Sequence, residues 1–324
     1  MQNSASNDGA LISREMLEEA RRQVQESPLQ IIRTPLINRE ETTLSLETKC
    51  NLFLKLENMQ NTGSFKIRGV ANQFARAQGG QFVTMSAGNH GISFAYAVNW
   101  YGKKGRVLMP NTAPASKARV ISGYGVDVEM LPSECVKVEL DRCIREHNMT
   151  YLHSFDDLDS IAGYGSLAFE ILEEVPNPDV IVVCCGGGGL LSGIASAAKL
   201  LSPSTKVYGV EPEGACTMFR SLIDGKPASM DAKSIAAGLA PPFAGNIAFT
   251  ICKELVEGVI LVSDEDIVEA MSVLYRAGLV VEPSGSAAFA AVLKNKMPDI
   301  SAKTVIVVLS GGNISPEELS NVFI

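Results

Sequence analysis

Short continuous apolar runs alternate along the chain with stretches in which apolar residues return every three or four positions. The continuous runs read as strands buried on both faces, and the periodic stretches as amphipathic helices that cover them. The first periodic stretch is 12–26, where Ile12, Met16, Leu17, Ala20 and Val24 share one helical face. "NLFLKLEN" at 51–58 alternates like a strand and leads to a helix starting near Lys66, with Ser64 placed to cap it. Strand and helix then take turns: strand 80–87 and helix 89–102, strand 105–110 and helix 113–125, strand 126–131 and a helix near 134–147. A short strand at 150–155 precedes a longer helix over about 160–175. "DVIVVCC" at 179–185 is a buried strand followed by helix 189–201. Strand 206–212, helices 265–278 and 285–296, and a last buried strand at 303–312 complete the pattern.

This alternation predicts an α/β fold of parallel sheets covered on both faces. A chain of 324 residues suits two domains, or one large unit with an insertion. Chain order suggests a small α/β unit at 80–157 inserted into a larger one made of 11–79 and 158–324.

Composition narrows the partners. The formal net charge is −8 and no stretch gathers five or six basic residues, so nucleic acid and anionic membrane are poor partners. The polar start lacks a hydrophobic signal region, and no uncharged apolar run reaches the roughly 18 residues of a membrane span. A soluble cytoplasmic protein is expected. The seven cysteines are an odd number without a C-x-x-C pair, which suits reduced thiols. Cys184 and Cys185, neighbours on a strand, should face opposite ways. A catalytic cysteine would need His90, His147 or His153 as its base.

In open α/β sheets, ligands bind beyond the carboxyl ends of the strands. Four loops there are rich in glycine and small polar residues: "SAGNHG" from Ser86, "GGGGLLSG" from Gly186, "EPEGA" from Glu211 and "SGGN" from Ser310. The glycine run lets several N–H groups point at one spot beside a helix amino end, which makes an anion site. No Gly-Lys-Ser/Thr follows it, and Leu191 stands where Gly-x-Gly-x-x-Gly needs its third glycine. The bland alternative is a tight turn. "SAGNHG" suits a carboxylate or merely a helix cap, and "SGGN" alone reads as a turn. Lys66 stays open between a surface charge, a phosphate clamp and a nucleophile.

"NTGSFKIRG", "SAGNHG", "GGGGLLSG" and "SGGN" occur in this order and at suitable separations. The set resembles the fold-type II pyridoxal-phosphate enzymes, in the branch of threonine/serine dehydratases and serine racemases, over about residues 12–315. Single-domain catabolic threonine dehydratases are the nearest in pattern. The resemblance implies two parallel-sheet α/β domains with the active site between them, and pyridoxal 5'-phosphate as cofactor. It implies that Lys66 forms the Schiff base and Phe65 packs on the ring. Asn89 would bond the phenolic oxygen, and Gly186, Gly187, Gly188, Gly189 and Leu190 the phosphate. Ser310 would meet the pyridine nitrogen, with Gly238 and Glu282 near the ring. Ser86, Ala87, Gly88 and His90 would border the carboxylate of a small amino-acid substrate. A hydroxyl at Ser310 leaves the ring near neutral, which suits β-elimination better than transamination.

The implied reaction is an ammonia-lyase reaction: a β-hydroxy L-amino acid, L-serine or L-threonine, gives a 2-oxo acid and ammonia, with Lys66 as the Cα base. Racemases of this branch carry a serine in place of Ala87, in the pattern Ser-Ser-Gly-Asn-His, and "HPN" where Phe155 stands. Both departures favour elimination over racemisation. Serine racemase, a dehydratase of 3-hydroxyaspartate or phenylserine, a β-replacement synthase and a non-catalytic metabolite-binding protein are the alternatives weighed.

Three positions depart from the pattern. Tyr164 stands where relatives usually have glutamine, and Lys137 where racemases tend to have arginine. Glu211 and the Ala215 carbonyl match two ligands of a divalent-cation loop, but Thr217 replaces an acidic one, so a divalent or monovalent cation and no tight metal site are both expectations. A homodimer or homotetramer is expected. A regulatory domain after "SGGN" and isoleucine feedback are not expected.

Overall fold

The computed structural model describes residues 11–44, 46 and 48–323. Its strands are β1 Leu36–Asn38, β2 Asn51–Leu56, β3 Gln81–Met85, β4 Lys104–Pro110, β5 Asp127–Leu131, β6 Thr150–Tyr151, β7 Val180–Cys184, β8 Lys206–Pro212, β9 Gly258–Val262 and β10 Thr304–Leu309. A six-stranded sheet runs in the order β1-β2-β10-β7-β8-β9, and a four-stranded one in the order β5-β4-β3-β6. Among the described residues, β1–β2 is the one antiparallel pair of strands in these sheets. Parallel neighbours need crossovers, which the helices supply.

The four-stranded sheet is drawn from residues 81–151, and the six-stranded one from the chain on either side. β7 is buried throughout and β10 nearly so, in keeping with their unbroken Val/Ile runs. β10, last in sequence, lies between β2 and β7. Its carboxyl end therefore meets the segments that follow two strands far away in the chain.

Several expectations shift. The helix near Lys66 spans Lys66–Arg76, but Ser64 does not cap it. Phe65 is the residue before the helix, and Ser64 instead forms a bridge with Gly311. The strand at 150–155 ends at Tyr151, because His153 Nδ1 accepts the N–H groups of Phe155 and Asp156 and turns the chain. β1, β9 and the helices Thr217–Asp224 and Asn246–Leu255 were not expected. The Asp156 carboxylate satisfies the amino end of helix Asn246–Leu255, accepting from the N–H groups of Asn246, Ile247 and Ala248.

Candidate active site

The segment before Lys66 is stitched to the end of β10. The Phe65 N–H donates to the Ser310 carbonyl at 3.1 Å, and the Gly312 N–H to the Gly63 carbonyl at 2.9 Å. Asn313 extends the seam, donating through Nδ2 to the Thr62 carbonyl and to Asn89 Oδ1, both at 2.8 Å. Asn89 in turn donates to Glu282. A Cβ built on Gly311 would meet Glu282, Asn89 and Ser64 within 3.1 Å, so these side chains converge on one backbone position. "TGSFK", "SAGNHG" and "SGGN" thus form one wall.

Lys66 heads its helix. Its amine donates to the Ser154 carbonyl at 2.6 Å and lies 5.0 Å and 5.4 Å from the ring centres of Phe65 and Tyr164. Part of the side chain is accessible, but protein surrounds the amine, and desolvation lowers its pKa to about 8. The two rings meet edge to face with centres 4.9 Å apart.

The glycine run follows β7 and opens helix Gly189–Leu201. Gly188 has φ +96°, a conformation that favours glycine, and a Cβ on Gly187 would sit 2.2 Å from the Phe155 ring. The Gly187 carbonyl accepts from the Gly245 N–H, and Gly238 N–H donates to Ser284 Oγ. Gly186 abuts the Gly238 carbonyl, so both sides of this turn are glycine. Leu190 is buried in the first turn of the helix. Ser310 Oγ accepts the Cys184 thiol hydrogen at 3.0 Å. Burial raises the Glu282 pKa to about 7.

On the "SAGNHG" loop, Ser86 Oγ accepts the N–H groups of Gly88 and Gly91 and so shapes the turn itself. Ala87 packs against the core of the four-stranded sheet. Gly88 precedes helix Asn89–Trp100. His90 is 2% exposed, and burial holds its imidazole well below its ordinary pKa. The His90 ring has the Leu152 backbone as a polar neighbour but completes no hydrogen bond of good geometry among the described residues, and the buried Ser64 Oγ has no partner there. Buried polar atoms are normally paired. A polar ligand at this wall would meet orphaned groups, a glycine-lined helix amino end and a low-pKa amine.

Glu211 lies at the end of β8, ahead of helix Thr217–Asp224. Its carboxylate accepts the Met218 and Phe219 N–H groups at 2.9 and 2.8 Å, closing the amino end of helix Thr217–Asp224, and burial raises its pKa to about 8. Ala215 is buried in the preceding turn, and Thr217 Oγ1 has no partner among the described residues. No group of three His, Cys, Asp or Glu able to hold a metal occurs among those residues. Lys137 is exposed and pairs with Asp141, whereas Tyr164 is fully buried over Gly69 and donates to the same Ser154 carbonyl as Lys66. Sequence reasoning missed Ser154, Cys184 as a partner of Ser310, and Asn313 as the tie between loops. It also missed Arg68, whose signal was an arginine among Ile67, Gly69, Val70 and Ala71.

The chain belongs to the pyridoxal-phosphate dependent enzyme family, whose model matches residues 28–311. It is 35% identical to a serine racemase of Dictyostelium discoideum over 303 residues, covering 90% of this chain and 93% of that one. It is 34% identical to the catabolic L-threonine dehydratase of Staphylococcus aureus over 303 residues, 90% of this chain and 87% of that one. The crystal structure of the Dictyostelium discoideum serine racemase superposes with a TM-score of 0.86 at 34% identity, over 94% of this chain and 99% of that one. The architecture is that of fold-type II, and the cofactor is pyridoxal phosphate. Among the described residues no helix is long and apolar enough to cross a membrane.

Proposed function

We propose that the chain is an ammonia-lyase that removes water and then ammonia from a β-hydroxy L-amino acid, L-serine or L-threonine, with little racemisation. One contrast carries this reading: burial lowers the Lys66 amine to a pKa of about 8, while position 87 is an alanine with no exchangeable proton. A catalysed inversion needs an acid–base group on each side of Cα. This wall offers one at Lys66 and none at residue 87.

Lys66 would hold the aldehyde carbon of the cofactor, and Phe65 would pack on its ring. The N–H groups of Gly186 to Leu190 would hold the phosphate at the amino end of helix Gly189–Leu201. Asn89 would take the phenolic oxygen, Ser310 the ring nitrogen, and Gly238 and Glu282 the ring edge. Bound pyridoxal phosphate supplies the sink for electrons released at Cα. The substrate amine would take the place of Lys66 on the aldehyde carbon, and the Lys66 amine so freed, whose pKa burial lowers to about 8, would remove the proton at Cα as general base. The substrate carboxylate would lie along Ser86, Ala87 and Gly88, at the amino end of helix Asn89–Trp100. Neutral His90 would border it, and the unpartnered Ser64 Oγ would offer a hydroxyl. The Ser310 hydroxyl is neutral, so it steadies the ring without adding a charge that would favour transamination.

Identity to a serine racemase at nearly the same level as to a threonine dehydratase supports racemisation as the second reading. A 2-oxo-acid release assay over L-serine, L-threonine, 3-hydroxyaspartate and 3-phenylserine, with chiral analysis of residual amino acid, separates them. Release from L-serine or L-threonine with little D-enantiomer is expected. D-serine formed as fast as the 2-oxo acid would contradict the proposal. So would an enzyme that binds its cofactor yet turns over none of the four.

A further inference from the structure

Ser310 has more to do than present an oxygen, because a hydroxyl acts on a ring nitrogen only through the direction of its hydrogen. Its surroundings account for that direction. The backbone carbonyl of Ser310 is taken by the Phe65 N–H. Its Oγ is 3.0 Å from Cys184 Sγ, the donor in that bond. Its own hydroxyl hydrogen has no acceptor among the described residues. Cys184 ends β7, directly beside β10 in the sheet, and is buried. Burial also raises its pKa to about 11, so the thiol keeps the hydrogen it donates at neutral pH. Cys185 faces away toward Glu211 and Cys252 and takes no part.

We propose that Cys184 is a positioning residue: by donating to Ser310 Oγ, it turns the Ser310 hydroxyl hydrogen away from the strand and toward the ring nitrogen of the cofactor. The inference rests on the assignment of Ser310 to that nitrogen. The reverse arrangement, Ser310 donating to sulfur, would spend the hydroxyl on a weak acceptor. Serine at 184 keeps a donor at the same place, and alanine removes it.

The test compares the holoenzyme with Cys184→Ser, Cys184→Ala, Ser310→Ala and the Cys184→Ala/Ser310→Ala double variant. The readouts are the dissociation constant of pyridoxal phosphate from the apoprotein and the ratio of its visible to near-ultraviolet absorption bands, with thermal unfolding of each apoprotein in parallel. Losing one hydrogen bond should weaken cofactor binding about 2- to 10-fold in Cys184→Ala and change the band ratio. Cys184→Ser should stay close to the parent, and the double variant should match Ser310→Ala alone. If Cys184→Ala matches the parent while Ser310→Ala does not, the role of Cys184 is overturned and that of Ser310 stands. If Ser310→Ala also matches the parent, the Ser310 assignment itself fails. Equal loss in the serine and alanine variants would make Cys184 a packing residue and overturn the proposal.

Discussion

Lys66 and Arg68 stand two residues apart on one helix, and their surroundings differ completely. Arg68 is fully buried, and its guanidinium meets Glu57 at 2.8 and 2.9 Å and Glu170 at 2.6 and 2.9 Å. Lys55 joins the cluster through Glu170 and the Thr34 carbonyl, and Thr34 donates to Glu57. Two cations face two carboxylates, and every charge is hydrogen-bonded. Lys66 has one carbonyl for a partner, no counter-charge in contact, the unpaired Ser64 Oγ nearby and the poorly bonded His90 ring beside it. The saturated cluster anchors the helix. An unpaired buried group costs about 1–3 kcal/mol, so the unsaturated wall is what a ligand site looks like. A fixed Arg68 lets Lys66 be reactive without being loose.

Breaking the saturated side should have the largest effect on stability. Arg68→Ala leaves Glu57 and Glu170 buried without their main partner, and about 3–5 kcal/mol should be lost in urea unfolding. Replacing both carboxylates by glutamine in the same background should recover part of it. A loss below about 1 kcal/mol, within the range of an exposed ion pair, would erase the contrast with Lys66.

Gly187→Ala should come next. Its methyl group must displace the Phe155 ring, an overpacking that costs about 1–3 kcal/mol. Because the strain falls on the glycine loop, cofactor titration should show a larger loss than unfolding of the apoprotein does. The opposite order would mean the loop serves packing alone.

A smaller effect is expected from Glu282→Gln, read as pH dependence. Folding raises the Glu282 pKa from 4.5 to about 7, so the folded apoprotein holds a proton that the unfolded chain has released. Its contribution is present below pH 4.5 and is lost as pH rises through 7. The variant should therefore lose less stability than the parent over that window, as measured by urea midpoints at stepped pH. Glu211, raised to about 8, keeps part of the slope in both proteins.

What the sequence made legible was local. β7 and β10 are unbroken apolar runs, and the four consecutive glycines exceed what a turn requires. What it hid depends on distant partners. Helix Asn246–Leu255 has no side-chain cap of its own, since Asp156 supplies it from about ninety positions away. β9 is a half-exposed edge strand with no clean alternation, and β1 is three residues long. Ser64 looked like a cap because serine before a helix usually is one, yet the bridge to Gly311 holds it elsewhere. Lys66 stood out by its motif, whereas Arg68 becomes meaningful only once Glu170, 102 positions on, closes the cluster.

Lys66→Met tests the comparison most directly. It removes the amine, keeps most of the stem, and takes away a charge that burial already disfavours. Folding stability should change by less than about 1 kcal/mol. The visible band of the bound cofactor should disappear, and 2-oxo-acid release should fall by at least about 100-fold. A variant that unfolds as Arg68→Ala does, or one that keeps the visible band and the activity, would contradict the assignment of Lys66 as the working charge and Arg68 as the structural one.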